Sequence, residues 1–384
     1  MLLYFSLGGF YSFKENQDLF LTAYPKTRLK NTKYEKNFIL NLKERVMKSV
    51  IIFGGNASGK TNLILGIETI INIILNGINL PKDFNKKIIN FDSNRISFEI
   101  GIMDKQENIY EYSFKFDENN VIYEKLEFNN KKIFEFDNNI LKTDFPKKIS
   151  SQILKIFSIK STETIVRKLK DFQIKEIDDF IKNIQNIRII RGKVFNLEAK
   201  EVLKKVSDEL KIILEEKKED VLKILKFLDY TIENFDFEKI GNKDNEVLYE
   251  IYFLRNNSNN KFYLGNESEG IKKIMNIIAE LLEIYAGKTL IIDELDSSIS
   301  TLSLIKLFNN FVNIEKNLDG QLIVTSHNLL LFNNNIFEPQ QIYIVNKKEN
   351  LTSELYSLAE FKIRTEKENL YDDFLKGKFG GING

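Results

Sequence analysis

Cysteine is absent from this chain, and histidine occurs once in its 384 residues. The first absence excludes a disulfide framework, a thiolate zinc site and cysteine catalysis, while leaving oxygen-ligated Mg2+ open. It also agrees with a reducing compartment. An excess of charge is missing too, since 56 Lys and Arg stand against 55 Asp and Glu. No whole-chain field therefore draws the protein onto nucleic acid or anionic lipid, and a DNA contact would need a local basic patch. No run is suited to crossing a bilayer: the most apolar long stretch, NLILGIETIINIILNGINL, carries Glu68 and several asparagines, the pattern of a buried helix. The opening LLYFSLGGF is strand-like and lacks a basic segment and a cleavage site, so the expected location is cytoplasmic, with no membrane association.

What is present changes periodicity three times along the chain. Residues 1 to about 55 hold short strands ending in the apolar run SVIIFGG. From about 95 to 136, RISFEIGIM, IYEYSFKF, VIYEKLEF and KIFEF alternate apolar and polar residues between Asn- and Asp-rich turns, the pattern of an antiparallel meander. Residues of about 150 to 228 switch to helical spacing, with Val202, Val206, Leu210, Ile213, Leu214, Val221 and Leu225 recurring every three or four positions. A long coiled coil would need many more heptads, and a metal-hook dimer would need cysteines. The last third alternates strand and helix as a mostly parallel sheet would. The expected fold is α/β, a P-loop NTPase elaborated by an antiparallel β-lobe and a helical insertion. Its expected parts are 1–148 with the P-loop and meander, 149–230 as the insertion, and 231–384 with the remaining motifs.

The segment GGNASGKT supplies Gly54, four residues, then Gly59, Lys60 and Thr61, the G-x-x-x-x-G-K-[ST] pattern, between an apolar strand and an apolar helix. Glycines let successive backbone N–H groups curl around a phosphate, and the following helix N-terminus adds partial positive charge. Lys60 is placed to neutralise β and γ oxygens and the Thr61 hydroxyl to ligate Mg2+. Gly55, Asn56, Ala57, Ser58 and Asn62 complete the expected phosphate-binding set. Downstream, TLIIDELD sets Asp293 and Glu294 at the carboxyl edge of a strand, where open α/β sheets bind ligands. Asp293 is expected to hold Mg2+ through water and Glu294 to act as general base. Asp296 reads as a helix cap. The single histidine, His327, closes QLIVTSHN after a further buried-looking strand, where it would face the γ-phosphate as a catalytic group beside Glu294 and Lys60. ATP is favoured over GTP, because the nearest approach to a guanine-reading Asn-Lys-x-Asp is NKKE at 346–349, which reads as a solvated strand end.

With these pieces in place the chain resembles the ABC-type ATPases of the AAA15 group, relatives of recombination and repair ATPases. The likeness runs from FSLGGFYSFKENQDLFLTA through GGNASGKTNLI, ESEGIKKI, LIIDELDSSI and LIVTSHN to QIYIVNKK, ELYSLAEF and FLKGKFGG. It implies that ESEG is a signature motif, with Ser268 and Gly270 presented to the nucleotide of a partner subunit, so that a homodimer or higher oligomer forms on ATP. It also implies a setting in bacterial anti-phage or abortive-infection systems beside a separate effector protein. Three positions depart from the family pattern: Ser300 replaces a histidine after the Walker B acids, Tyr11 an arginine, and Gln340 an acid. Gln106 is a weak candidate for a Q-loop residue.

Three functions remain open from sequence. The first is an ATP- and Mg2+-dependent hydrolase whose dimerisation controls an effector in anti-phage defence. The alternative is the head of a DNA repair or recombination ATPase, marked by DNA-stimulated turnover and salt-sensitive DNA binding. A transporter's ATPase comes third, disfavoured by the divergent ESEG and the β-meander.

Overall fold

The computed structural model describes residues 1–24, 28–77, 88–117, 120–137, 140–145, 164–192, 206–243, 246–332, 335–361 and 370–380. Strands are numbered in chain order. The alternating segments form one antiparallel sheet of seven strands, joining β1 (Leu2–Gly8) and β2 (Gln17–Phe20) to β6 (Arg95–Met103), β7 (Ile109–Asp117), β8 (Val121–Phe128), β9 (Lys131–Asp137) and β10 (Ile140–Thr143). Its order is β10-β9-β8-β7-β6-β1-β2. The expected meander is therefore present, and it continues onto the N-terminal strands. In β7 every second side chain is buried, because a period of two sends Tyr110, Tyr112, Phe114 and Phe116 to one face. Two short strands, β3 (Phe38–Ile39) and β4 (Val46–Met47), pair beside it.

The continuous apolar runs behave differently, as strands buried on both faces should. β5 (Ser49–Phe53), β11 (Ile187–Ile190), β15 (Thr289–Ile292), β16 (Gln321–Ser326) and β17 (Ile342–Lys347) lie parallel, with β18 (Ser353–Ser357) antiparallel at the edge, in the order β11-β15-β16-β5-β17-β18. Alternate residues feed two cores. Val50 and Ile52 pack with the β-lobe and the helix Lys60–Asn76. Ile51 and Phe53 pack with the C-terminal helices on the opposite face. Glu68, the one acid of that long apolar helix, pairs with Arg191 at 2.8 Å beside the end of β11. Among the described residues no helix is long and apolar enough to cross a membrane.

The interval 149–230 is not wholly helical. It holds helices Ile165–Leu169, Lys175–Ile184, Asp208–Glu216 and Lys218–Leu228, but also β11, an edge strand of the parallel sheet. The helical stripe breaks at Lys217, whose φ of −108° and ψ of 26° end one helix before the next begins. Leu214, Val221 and Leu225 are buried, Leu210 and Ile213 half-buried. Val206 pairs with Tyr249 in a β-bridge, and Val202 lies outside the described residues. A third antiparallel sheet follows, β12 (Ile232–Lys243), β13 (Glu246–Arg255) and β14 (Phe262–Tyr263). It leads into the helix Glu269–Asn276.

Candidate nucleotide site

The parallel sheet brings the carboxyl ends of β5, β15 and β16 to one edge, with β16 between the other two. A loop forms where β5 stops. A Cβ on Gly54 would lie 2.5 Å from both Ser58 Oγ and Val345 O. Ala57 adopts φ 58° and Gly59 φ 116°, curling the chain immediately before the helix that starts at Lys60. A Cβ on Gly59 would meet Ser353 Oγ at 2.4 Å and Ser12 Oγ at 2.8 Å, so only glycine fits. Asn56 and Ala57 face solvent, Gly55 is half-buried and Ser58 is buried.

The Lys60 ammonium curls back over this loop, donating to Gly54 O at 2.7 Å and Gly55 O at 3.0 Å. It also lies 3.4 Å from His327 Nδ1. Burial pulls its pKa down, and the negative field of Asp293, Glu294 and Asp296 opposes that pull. An anionic phosphate entering the loop would add to the same field and favour the charged amine.

Thr61, the second residue of the helix, donates through Oγ1 to Asp293 Oδ2 at 2.9 Å. Thr325 Oγ1 donates to the other carboxylate oxygen at 2.5 Å, and the Glu294 N–H donates to Thr325 Oγ1 at 2.8 Å. A buried carboxylate beside an exposed hydroxyl is a hard-oxygen pair, which fits a Mg2+ ion that keeps its other ligands as water and phosphate oxygens. Glu294 Oε1 lies 3.6 Å from His327 Nε2. Both side chains are exposed at the sheet edge, and Glu294 sits in the left-handed region at φ 55°.

The motifs thus converge as a group: Lys60, Thr61, Asp293, Glu294 and His327 are linked by direct contacts. Ser268 and Gly270 join them at one remove. The Ser268 side chain caps its own helix, accepting from Ile271 N–H at 3.4 Å, and the residue is exposed. A Cβ on Gly270 would stand 2.7 Å from Ser298 O, so this helix rides closely on the segment after the Walker B acids. Asn62 Nδ2 donates to Ser12 Oγ at 2.9 Å.

Asp296 is not the helix cap that local sequence suggests. Ser300 caps the helix Thr301–Leu307, while Asp296 Oδ2 accepts the His327 N–H at 2.9 Å and so fixes the histidine's backbone. Gln340 is buried and accepts the Tyr24 N–H at 2.8 Å, fastening the N-terminal segment. Gln106 is exposed in a turn closed by Asp104, whose Oδ1 accepts the Gln106 N–H. Lys347 ends β17, and Lys348 pairs with Glu354 across the turn to β18, as a solvated strand end would. Sequence missed several contributors. Thr325 orients Asp293. Ser12 and Ser353 close the back of the loop, Ser353 Oγ donating to Ser12 Oγ at 2.7 Å and lying 2.5 Å from Ser58 O. Arg255 grips Glu267 with two 2.7 Å bonds immediately before Ser268.

Residues 49–333 match a protein-family profile described as "AAA domain, putative AbiEii toxin, Type IV TA system". The chain belongs to this family. The matched region opens at the first residue of β5 and includes all five contacting residues of the site, while Ser12 and Ser353 behind the loop lie outside it. The AAA-domain match, together with a phosphate-binding loop at the carboxyl edge of a mostly parallel sheet, makes the chain a P-loop NTPase by fold and family. Solved structures with an overall likeness include an Smc head bound to the C-terminal winged-helix domain of ScpA, at 13% identity and TM-score 0.47, covering 93% of this chain and 97% of that one. Another is an Smc head with an extended coiled coil bound to the C-terminal domain of ScpA derived from Pyrococcus furiosus, at 11% identity and TM-score 0.42, covering 93% and 96%. The comparison with curated proteins gives no match.

Proposed function

We propose that this AAA-domain protein binds and hydrolyses ATP with Mg2+, dimerises on ATP through composite sites, and controls a separate effector in anti-phage defence. The single observation that carries the hydrolase reading is the contact chain Lys60, His327, Glu294 on one side and Thr61, Asp293, Thr325 on the other. Backbone N–H groups of residues 55–60 and the helix N-terminus would hold the phosphates, with Lys60 leaving its carbonyl partners for β and γ oxygens. Thr61 and Asp293 would hold Mg2+, which supplies positive charge to the phosphate oxygens when bound. Glu294 is exposed and would take a proton from a water in line with the γ-phosphate. His327, fixed through Asp296, would contact the γ-phosphate and so report whether it is present. Ser268 is exposed at a helix N-terminus and is suited to a nucleotide held by a second copy. The family's description, which names a toxin and a type IV TA system, supports a chain that works with a second protein.

The deciding experiment is Glu294→Gln. The amide keeps shape but cannot accept the proton, so nucleotide affinity should stay near wild type while turnover falls about 100-fold. ATP-held dimers should accumulate in size-exclusion chromatography with light scattering. Unchanged turnover would remove Glu294 from the chemistry.

A further inference from the structure

Lys273 lies on the helix that Ser268 begins, yet its side chain is buried and turned away from solvent. Its Nζ donates to Glu294 O at 2.7 Å, to Ser297 O at 3.0 Å and to Ser297 Oγ at 2.5 Å. Three acceptors match the three donors of an ammonium. The segment it grips is strained, since Glu294 at φ 55° and Ser298 at φ 65° are both non-glycine residues in the left-handed region. Such residues cost free energy and persist only where their surroundings over-determine them. Here the over-determination is visible: Thr325 takes the Glu294 N–H, Lys273 takes its carbonyl, and the backbone of Gly270 abuts Ser298 O one turn earlier.

We propose that Lys273 is the positioning residue that fixes Glu294 in its working orientation, and that it makes this orientation depend on the helix presented by Ser268. The proposal rests on the hydrolase reading above. Lys273 and Gly270 hold the helix Glu269–Asn276 and the segment 294–298 together at two points. A nucleotide that draws on the Ser268 end of the helix therefore acts, through Lys273, on the backbone of Glu294 in the same subunit. One dimer partner's nucleotide would thereby set the other partner's catalytic acid. The side chain of Lys273 itself touches no nucleotide in this arrangement.

The test compares wild type, Lys273→Met, Glu294→Gln and the double variant in the full-length protein, with ATP as the probe. Lys273→Met keeps the length and packing of the side chain but removes its donors. It should bind ATP within about twofold of wild type and lose about 30-fold in kcat, as misplacement of a reacting group does. Because Lys273 acts only through Glu294, the double variant should be no slower than Glu294→Gln alone. Additive losses, or full kcat in Lys273→Met beside an active wild type, would overturn the proposal and leave the hydrolase reading standing. A wild type without ATPase activity would overturn both. If Lys273→Met fails to fold, Ser297→Ala takes its place in the same cycle, with a loss of about fivefold from removal of one acceptor. Full activity in Ser297→Ala would then be the overturning result.

Discussion

Lys60 shows what one side chain does for this site and what a sequence can say of it. Its ammonium is the charge that the loop holds closest to its own carbonyls, and burial has already weakened its hydration. Lys60→Ala should lower ATP affinity about 100-fold, the loss expected when a charge-assisted contact to phosphate is removed, as read by titration with a fluorescent nucleotide. Wild-type affinity in the variant would refute the site. Lys60, Thr61, Asp293, Glu294 and His327 were legible because each lies in a short segment whose chemistry is local: a strand end followed by the right few residues. Thr325 and Lys273 were not. A threonine inside a buried strand and a lysine on an amphipathic helix look ordinary, and only tertiary placement turns them toward Asp293 and Glu294. Asp296 misled for the same reason, since a local capping rule looks for a donor in the next helix, whereas the donor it meets is the His327 N–H just beyond the end of β16.

At the scale of elements, the β-lobe is tied to the helix Ile165–Leu169 by a buried acid. Glu124 of β8 accepts N–H bonds from Ile165 at 2.6 Å and Val166 at 2.9 Å, and the Tyr112 hydroxyl at 3.0 Å. Burial pushes its carboxyl up to about 7, against the opposing pull of those amides, of Tyr112 and of nearby Lys168. A carboxyl raised in the folded state contributes its full stability below the unfolded value of 4.5 and loses it as pH rises through about 7. The melting temperature of wild type should therefore fall, relative to Glu124→Gln, between about pH 5 and 8. Parallel melting curves across that range would remove Glu124 as the titrating group. Strand alternation made β6 to β9 legible, whereas β11 hid in a helical stretch because IRII is only four residues long and its partner β15 lies far away in sequence. The break at Lys217 was equally hidden, since Leu214 and Val221 stand seven residues apart, about two helical turns, which keeps the stripe in phase across it.

For the whole molecule, the proposed composite site requires a second copy. Ser268 stands exposed on a helix locked to the Walker B segment, and among the described residues its hydroxyl bonds only within that helix's first turn. Lys60→Ala and Ser268→Arg should each be nearly inactive alone. Mixed under exchange conditions, they form dimers with one doubly altered pocket and one intact pocket. Random pairing makes half the dimers mixed and half their sites competent, giving about a quarter of wild-type ATPase. Full hydrolysis by Ser268→Arg alone would show that the serine plays no part in the site.

The pairing of Ser12 with Ser353, 341 positions apart along the chain, also fixes a time at which the site can first exist. Synthesis delivers the phosphate loop early, but both neighbours of β5, strands β16 and β17, belong to the last third of the chain. The hydroxyl beneath Ser58 and Gly59 comes later still. A chain stalled or cut before residue 321 would carry a full GGNASGKT and have no sheet edge on which to display it. The phosphate loop thus depends for its place on strands made in the last third of these residues, and a copy that ends before them lacks the site.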